Sequence, residues 1–303
     1  MRIGTRGSRL ARWQAEWLRA RLGERGVATE LVVIETQGDA VRDRPLHDLE
    51  GTGFFTKEIE DALLAGRIDV AVHSLKDLPT ALPPGLELAA VPARADPAEA
   101  LVSAGGRFRG LADLPPGARV GTSSLRRIAQ LRYARPDVEL VPLRGNVPTR
   151  VAKVVDRGEL DAALLARAGL ERLDLFASVA VALDPLEMMP APGQGALALE
   201  IRAHDAAAAA ALAPLAHGPS ADASAAERAV LSGLGGGCQA PVAAYCEGEG
   251  GRGKGRLYGR VTAADGSVQL TASALFGPAG ALAAGAEVAR LLRAAGAERL
   301  LAR

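Results

Sequence analysis

The strongest constraint on the fold of this chain is an internal repeat. The phrase GTRGS at residues 4–8 follows a short strand pattern and opens a helical pattern, and the phrase GTSSLRR at residues 121–127 does the same. GRIDVAV at residues 66–72 and GELDAAL at residues 158–164 are also related, and each is predicted to contain the third strand of its half. This alternation of strands and helices predicts two related α/β units with largely parallel strands.

The links between the halves predict how the chain is divided. Proline-containing segments at residues 91–97 and 189–195 are candidate crossovers. If the strand predicted at residues 196–201 returns to the first unit, both crossovers join the same two units, as in a two-lobed protein that closes on its ligand. The predicted division is a first α/β lobe at residues 1–93 and 194–215, a second α/β lobe at residues 97–191, and a smaller α+β C-terminal domain at residues 219–303.

Composition and charge argue against several classes of protein. The chain has 303 residues, of which 49% are hydrophobic and 23% charged, and these fractions are typical of a globular protein. A net charge of +1, with neither a helix-turn-helix phrase nor a basic stripe, argues against nucleic acid as a partner. Since no apolar run approaches the ~18 residues of a membrane span and no export signal is recognised, we expect a cytoplasmic protein that binds no membrane.

The cysteines and histidines limit the chemistry further. Cys238 and Cys246 do not form a disulfide framework, and the scattered histidines predict no metal site. Cys238 follows three glycines, so its thiol is either an approachable nucleophile or attachment site, or a buried inert thiol. Cys246 lies on an apolar strand pattern and is predicted to be buried and inert.

Arginine is unusually frequent, since only four of the 36 basic residues are lysines. The bias reflects either codon composition or bidentate recognition of carboxylate or phosphate. Ser8 is predicted to cap the helix of the first half. In the second half, residues 121–124 (GTSS) open a helix, and Arg126 and Arg127 follow within the next turn. The hydroxyls of this phrase either cap the helix or help to bind an anion at its N-terminus, and the adjacent arginines favour anion binding.

Three more arginines are predicted to lie near the same ligand-facing edge. Arg144 and Arg150 flank a strand-to-helix transition, where a doubly wound sheet places its ligands, and Arg6 occupies the equivalent turn of the first half. A single arginine is usually a solvated ion pair of little energetic consequence. The convergence of Arg6, Arg144 and Arg150 with Arg126 and Arg127 therefore predicts an anion site.

A carboxylate is predicted at the corresponding edge of the first sheet. Residues 72–79 (VHSLKDLP) end a strand and enter a proline turn, which places Asp77 at that edge. Asp77 either caps the turn or, as an ionised group among arginines, stabilises a cation or relays a proton. The loop at residues 51–55 (GTGFF) is either a surface insertion or a lid with aromatic faces.

Six phrases, in this order, resemble those of the hydroxymethylbilane synthases, also called porphobilinogen deaminases. The phrases are GTRGS at residues 4–8, HSLKDLP at 73–79, GTSSLRR at 121–127, LRGN at 143–146, PGQG at 192–195 and GGCQAP at 236–241. The resemblance covers essentially the whole chain and implies two periplasmic-binding-protein-like lobes with a double crossover. It also implies a dipyrromethane cofactor joined by a thioether to Cys238, on which four porphobilinogen molecules condense head to tail with loss of ammonia before water releases hydroxymethylbilane.

The resemblance also implies a set of site residues. Each pyrrole ring carries an acetate and a propionate, which need cationic partners. Cofactor and substrate binding is assigned to Arg6, Ser8, Phe55, Ser74, Lys76, Thr122, Ser123, Ser124, Arg126, Arg127, Arg144, Gly145, Asn146, Arg150 and Arg172. The chemistry is assigned to Asp77, whose carboxylate would stabilise the cationic states on either side of carbon–carbon bond formation. The chain departs from the family at Thr52, where members often have a lysine between the glycines of a mobile loop.

Two other interpretations stay open at this stage. Duplicated lobes joined by two crossovers would also suit a small-anion-binding protein without catalysis, which would not require Cys238. The missing export signal argues against that interpretation. An anion-responsive regulator would need a DNA-reading domain, which the sequence does not indicate. In every case we expect a monomer.

Overall fold

The computed structural model of the protein describes residues 1–40, 56–235, 240–248, 255–277 and 280–301. Three residues named above, Thr52, Phe55 and Cys238, lie outside this described part, so their predicted roles stay predictions. The elements of residues 1–90 are β1 (Arg2–Thr5), α1 (Arg9–Gly23), β2 (Glu30–Val33), α2 (Gln37–Ala40), α3 (Lys57–Leu64), β3 (Val70–Ser74) and β4 (Leu86–Ala90).

From β6 onwards the second half repeats the alternation of strands and helices of the first, and a return strand and a third domain follow it. Its elements are β5 (Glu99–Ser103), β6 (Arg119–Gly121), α4 (Leu125–Ala134), β7 (Glu139–Val141), α5 (Val147–Val155), β8 (Ala162–Ala166), α6 (Arg167–Glu171) and β9 (Ala180–Ala182). The remaining elements are β10 (Leu197–Arg202), α7 (Ala206–Leu212), α8 (Gly218–Gly233), β11 (Val242–Glu247), β12 (Gly255–Thr262), β13 (Gln269–Phe276), α9 (Ala281–Ala294) and α10 (Ala297–Leu301).

The two lobes have the same sheet topology. The first sheet has the order β2-β1-β3-β10-β4 and the second has the order β7-β6-β8-β5-β9. In each, the first three strands are parallel, and the fourth strand runs antiparallel to both its neighbours. The repeat in the sequence is therefore a repeat of topology, and the predicted return of the strand near residues 196–201 to the first sheet is confirmed by β10.

The expectation of largely parallel strands holds for four of the five strands of each sheet, and the exceptions are β10 and β5. β5 is the first strand after one crossover, and β10 is the first strand after the other. Each is antiparallel to the strands beside it. The short strands β4, β5 and β9 were not predicted either. The sequence phrases at residues 66–72 and 158–164 locate their strands only in part, because their first residues form the turns that precede β3 and β8.

Local chemistry explains how the principal helices begin and where they pack. Ser8 caps α1 as predicted, since its side chain accepts a hydrogen bond from the Ala11 N–H at 3.3 Å. The apolar residues of α1 and α7 pack on one face of the first sheet and those of α3 on the other. In the second lobe α4 and α5 cover opposite faces in the same way. Helices α8 and α9 pack with the three-stranded sheet β11-β12-β13 to form a separate C-terminal core.

The two crossovers lie against each other between the lobes. The Ala95 N–H donates to the Gly195 carbonyl at 3.2 Å. Gly195 has a φ of +87°, and a Cβ at this position would lie 2.4 Å from the Ala95 carbonyl oxygen. Glycine is required here both by the backbone conformation and by the close approach of the second chain segment. Together these observations confirm an α/β protein of two lobes with a double crossover and a smaller C-terminal domain.

Candidate active site

The turn after β3 presents two charged side chains at the edge of the first sheet. Leu75 and Leu78 are each 1% exposed and hold the turn between them. Lys76 and Asp77 lie between these anchors and are half-buried. Ser74 accepts a hydrogen bond on its Oγ from the Gln14 side-chain amide at 2.9 Å, which ties the end of β3 to α1.

Lys76 lies where the first lobe meets the crossover and the second lobe. Its Nζ donates to Gln194 Oε1 at 3.0 Å, and Gln194 Nε2 in turn donates to the Pro97 carbonyl at 2.8 Å. Burial, reinforced by the nearby Arg127 guanidinium, lowers the pKa of Lys76 to about 8. An anion bound beside Lys76 would raise this pKa and so oppose the effects of burial and of Arg127.

Arg126 and Arg127 are buried and share one carboxylate. Arg126 Nη2 lies 2.6 Å from Glu99 Oε1, and Arg127 Nη2 lies 2.7 Å from Glu99 Oε2. Burial opposes ionisation of Glu99, but the charges of Arg127 and Arg126 lower its pKa to about 2. One carboxylate against two guanidiniums leaves excess positive charge in a buried place. Glu99 was missed by the sequence analysis; the only signal was an acidic residue opening an apolar run.

Arg144 and Arg150 lie on the adjacent turn and have fewer partners. Arg144 Nε and Nη2 are buried, and neither has a hydrogen-bond partner among the described residues. Arg150 Nε donates to the Gly145 carbonyl at 2.7 Å. Burial, followed by the charges of Arg127 and Arg144, lowers the pKa of Arg150 to about 10, while Asp77 acts in the opposite direction. Asp77 of the first lobe is therefore within electrostatic range of Arg150 of the second.

The small polar residues of these turns shape the backbone. Ser123 Oγ donates to the Leu143 carbonyl at 3.0 Å and accepts from the Leu143 N–H at 2.9 Å, which joins the two turns. Thr122 Oγ1 accepts from the Ser124 N–H at 3.3 Å. Ser124 precedes α4 without a capping hydrogen bond from its side chain within the described part of the chain.

A tight, capped turn containing a glycine precedes α5. Asn146 Oδ1 caps α5 by accepting from the Thr149 N–H at 3.0 Å and from the Thr149 hydroxyl at 2.8 Å. Gly145 has a φ of +107°, and a Cβ there would lie 2.8 Å from Thr149 Cγ2. Gly145 and Asn146 are exposed, so their backbone faces solvent.

Two more of the predicted arginines border the same region. Arg6 is half-buried in the turn between β1 and α1. Arg172, just after α6, donates from Nη2 to the Gly195 carbonyl at 2.6 Å and lies 5.7 Å from the centre of the Trp13 ring on α1. Burial lowers the pKa of Arg172 to about 10. Arg172 thus connects the second lobe, a crossover and the first lobe.

Of the two cysteines, Cys246 lies within the described residues and Cys238 does not. Cys246 is 7% exposed, and burial raises the pKa of its thiol to about 12, as predicted for an inert cysteine. Across the described ranges, no three histidine, cysteine, aspartate or glutamate side chains are grouped so that they could hold a metal ion. No helix in those ranges is long and apolar enough to cross a membrane.

The turns of this duplicated α/β protein carry more guanidinium charge than the nearby carboxylates neutralise, and such an excess favours binding of an acidic small molecule. Comparison with known proteins identifies the family. Residues 1–210 match the family model "Porphobilinogen deaminase, dipyromethane cofactor binding domain", and residues 221–294 match "Porphobilinogen deaminase, C-terminal domain". The chain belongs to the porphobilinogen deaminase family.

Individual relatives agree with the family match over nearly the whole chain. The porphobilinogen deaminase of Chromobacterium violaceum is 50% identical over 303 residues, covering 99% of this chain and 96% of the relative. That of Pelobacter propionicus is 50% identical over 268 residues, covering 88% of this chain and 84% of the relative. The chain is therefore a transferase of tetrapyrrole biosynthesis that polymerises porphobilinogen with loss of ammonia on a dipyrromethane cofactor, to give hydroxymethylbilane. The resemblance found in the sequence is confirmed, and the binding protein without catalysis is not favoured.

Solved structures give weaker matches. The periplasmic VFT2 domain of Bordetella pertussis BvgS is 17% identical with a TM-score of 0.38, covering 66% of this chain and 74% of that domain. A nutrient binding protein from Burkholderia cenocepacia bound to methionine is 13% identical with a TM-score of 0.42, covering 70% of this chain and 90% of that protein. These similarities are too low to carry an argument about ligands.

Proposed function

We propose that the turns between the lobes hold the carboxylates of the cofactor and of the growing chain, with Asp77 as the catalytic carboxylate. The observation that carries this proposal is Arg144, whose buried Nε and Nη2 have no partner within the described ranges. Buried guanidinium donors without acceptors are costly, so their arrangement is explained by an acidic ligand. Arg150, Arg127 and Lys76 add cationic charge around the same position.

These residues fit the dipyrromethane cofactor. Its two rings carry acetates and propionates, and planar guanidiniums bind carboxylates with two parallel hydrogen bonds. When bound, the cofactor supplies the pyrrole carbon to which the first substrate ring is attached. Arg6, Ser8, Phe55, Ser74, Thr122, Ser123, Ser124, Arg126, Asn146, the backbone of Gly145, and Arg172 complete the proposed binding set.

The proposed roles of this chain's residues differ with their partners. Arg144 and Arg150 would bind ligand carboxylates directly, since they have the fewest internal acceptors. Arg126 and Arg127 are held by Glu99 and would act mainly through their charge. Asp77 would accept hydrogen bonds from pyrrole N–H groups and stabilise the positive charge that develops as ammonia leaves and as the new bond forms.

Cys238 is the proposed attachment point, through a thioether. It lies in the segment between α8 and β11, whose flanking elements belong to the C-terminal domain. We further propose the domain limits 1–93 with 194–215, 97–191 and 219–303, and a cytoplasmic monomer. Size-exclusion chromatography with light scattering would test the monomer, and a mass of twice 31.2 kDa would contradict it.

Two measurements test the proposed function. Intact-mass spectrometry of the purified protein should show an adduct of two linked pyrrole units that is absent in Cys238→Ala; an active enzyme without any adduct would contradict the attachment. Asp77→Asn should keep the adduct and the melting temperature but lose turnover by a factor on the order of 10² or more, as expected for a group that stabilises transition-state charge. Near-normal turnover in Asp77→Asn would remove its catalytic role.

A further inference from the structure

An arginine of the C-terminal domain contacts the turn that presents Asp77. Arg228, on α8, donates from Nη1 to the Leu75 carbonyl at 3.2 Å and to the Leu78 carbonyl at 3.0 Å. Its Nη2 donates to the Pro79 carbonyl at 2.5 Å. The three acceptors lie on both sides of Asp77, so a single side chain spans the turn.

The geometry of these contacts suits a guanidinium. Its N–H donors form a fixed planar fork, so one side chain can donate to several carbonyls at once. A lysine ammonium has a single donor centre and would not reach all three carbonyls with good geometry. The side chains of Leu75 and Leu78 are buried, so the turn is held by packing from within and by Arg228 from α8.

Helix α8 is itself anchored to the crossovers by the neighbouring residue. Glu227 is 0% exposed and binds both terminal nitrogens of Arg94, at 2.8 and 2.9 Å. Glu227 also accepts from the Gly193 N–H at 2.8 Å and from the Cys246 N–H at 2.9 Å. Arg228 therefore extends from a helix whose position is fixed relative to both crossovers.

We infer that Arg228 is a positioning residue, which holds the turn of Lys76 and Asp77 in place from the C-terminal domain. The domain that carries the proposed attachment cysteine thereby also sets the position of the proposed catalytic carboxylate. This inference rests on the proposed function of Asp77. Its physical basis is that a displacement of about 1 Å in a reacting group can lower a rate by about 10²-fold.

The decisive comparison is between Arg228→Ala and Arg202→Ala, each prepared as cofactor-loaded enzyme. Arg202 is a suitable control because it also donates to backbone carbonyls of the first lobe, those of Leu63 and Ile68, before β3 begins. Since Arg202 is paired with Asp69 and Asp205 as well, its removal tests whether a comparable or larger loss of stability is enough to lower kcat. Both variants should lower the melting temperature. Only Arg228→Ala should lower kcat, by on the order of 10- to 100-fold with KM changed far less, and millimolar guanidinium should restore part of that loss.

Arg228→Lys keeps the positive charge but lacks the planar N–H donors of the guanidinium. Compared with Arg228→Ala, it should restore the melting temperature more than it restores kcat. Equal kcat losses in Arg228→Ala and Arg202→Ala, or unchanged kcat in Arg228→Ala, would overturn the inference. Amide hydrogen exchange of a peptide covering residues 75–79 gives a readout that does not depend on activity, and it should be faster in Arg228→Ala than in the wild type. Unchanged exchange there would also overturn the inference.

A double variant separates this inference from the proposed function. If Arg228 acts through Asp77, Arg228→Ala should reduce the residual turnover of Asp77→Asn by much less than it reduces that of the wild type. A full, multiplicative reduction would overturn the inference while leaving the role of Asp77 intact. Normal turnover in Asp77→Asn alone would instead refute the proposed function, and exchange at residues 75–79 would still test whether Arg228 holds the turn.

Discussion

The N-termini of α4 and α5 lie on adjacent turns of the second lobe, and both carry arginines, but they differ in what faces those arginines. At α4, Arg126 and Arg127 are buried against Glu99. At the turn before α5, the buried Nε and Nη2 of Arg144 have no partner in the described part of the chain. A sequence motif therefore does not show whether an arginine stabilises the fold or is available to a ligand. That depends on whether a carboxylate from elsewhere in the chain lies against its guanidinium.

Removing the carboxylate from the α4 region should have the largest effect. Glu99→Gln leaves two buried guanidiniums without their anion, so we expect the free energy of unfolding to fall by about 3–5 kcal/mol. Urea unfolding at neutral pH measures this. The control is Glu139→Gln, which breaks an exposed pair with Arg119 at 3.9 Å and should cost at most about 1 kcal/mol. Equal losses of unfolding free energy in Glu99→Gln and Glu139→Gln would show that the buried contacts of Glu99 contribute no more than an exposed ion pair.

The same pair predicts a pH dependence. Because the folded pKa of Glu99 is lowered to about 2, its contribution is complete above its unfolded pKa of about 4.3 and is lost as pH falls from there towards about 2. Part of the acid sensitivity of the wild type should therefore be missing in Glu99→Gln. An identical acid profile for the two proteins would contradict this assignment.

Removing an arginine from each region should separate ligand binding from stability. Arg144→Ala should reduce cofactor loading or turnover by on the order of 10- to 100-fold while changing the free energy of unfolding of the apoenzyme by about 1 kcal/mol or less, since its guanidinium has few internal partners. Arg126→Ala should instead destabilise the apoenzyme by about 3 kcal/mol or more, because Glu99 loses a partner. Intact mass, turnover and urea unfolding measure the three quantities. A larger loss of unfolding free energy in Arg144→Ala than in Arg126→Ala would contradict this distinction.

The last expected effect is a pH dependence at Lys76, which lies near both regions. Its pKa is lowered to about 8 in the folded protein, below its unfolded value of about 10.4, so the unfolded chain binds more protons between these values. The apoenzyme should therefore gain stability relative to Lys76→Met as pH rises from 8 to about 10, by at most about 1.4 kcal/mol per pH unit. A difference between the two proteins that does not change with pH would contradict a lowered pKa.

Much of the fold was predictable because the phrases that mark its repeat are each only a few residues long. The glycine phrases, the cap at Ser8 and the crossovers are each read within a few residues, and the predicted two-lobed fold follows from their order. The antiparallel direction of β5 and β10 was not predictable in this way. It depends on pairing between strands that are far apart in the sequence, since β10 lies between β3 and β4 and β5 lies between β8 and β9.

The site was predictable only for residues in recognisable phrases. Asp77 and Arg144 belong to such phrases, and their placement at strand ends follows from the general geometry of α/β sheets. Glu99 and Arg228 belong to no such phrase, and the one local signal at Glu99 is an acidic residue that opens an apolar run. Glu99 meets Arg126 at a separation of 27 residues, and Arg228 meets the Leu75 carbonyl at a separation of 153.

Short-range patterns in the sequence therefore specify the duplicated architecture, the family, and the cationic and acidic groups at the strand ends. Periodicity, turn chemistry and ordered phrases act over short distances and can be read from neighbouring residues. Three features are visible only in the folded molecule: which arginines Glu99 neutralises, which buried donors of Arg144 lack an acceptor among the residues that the structure describes, and which helix contacts the turn of Asp77. Charge pairing and burial depend on groups brought together from distant parts of the chain, and only the folded molecule brings them together.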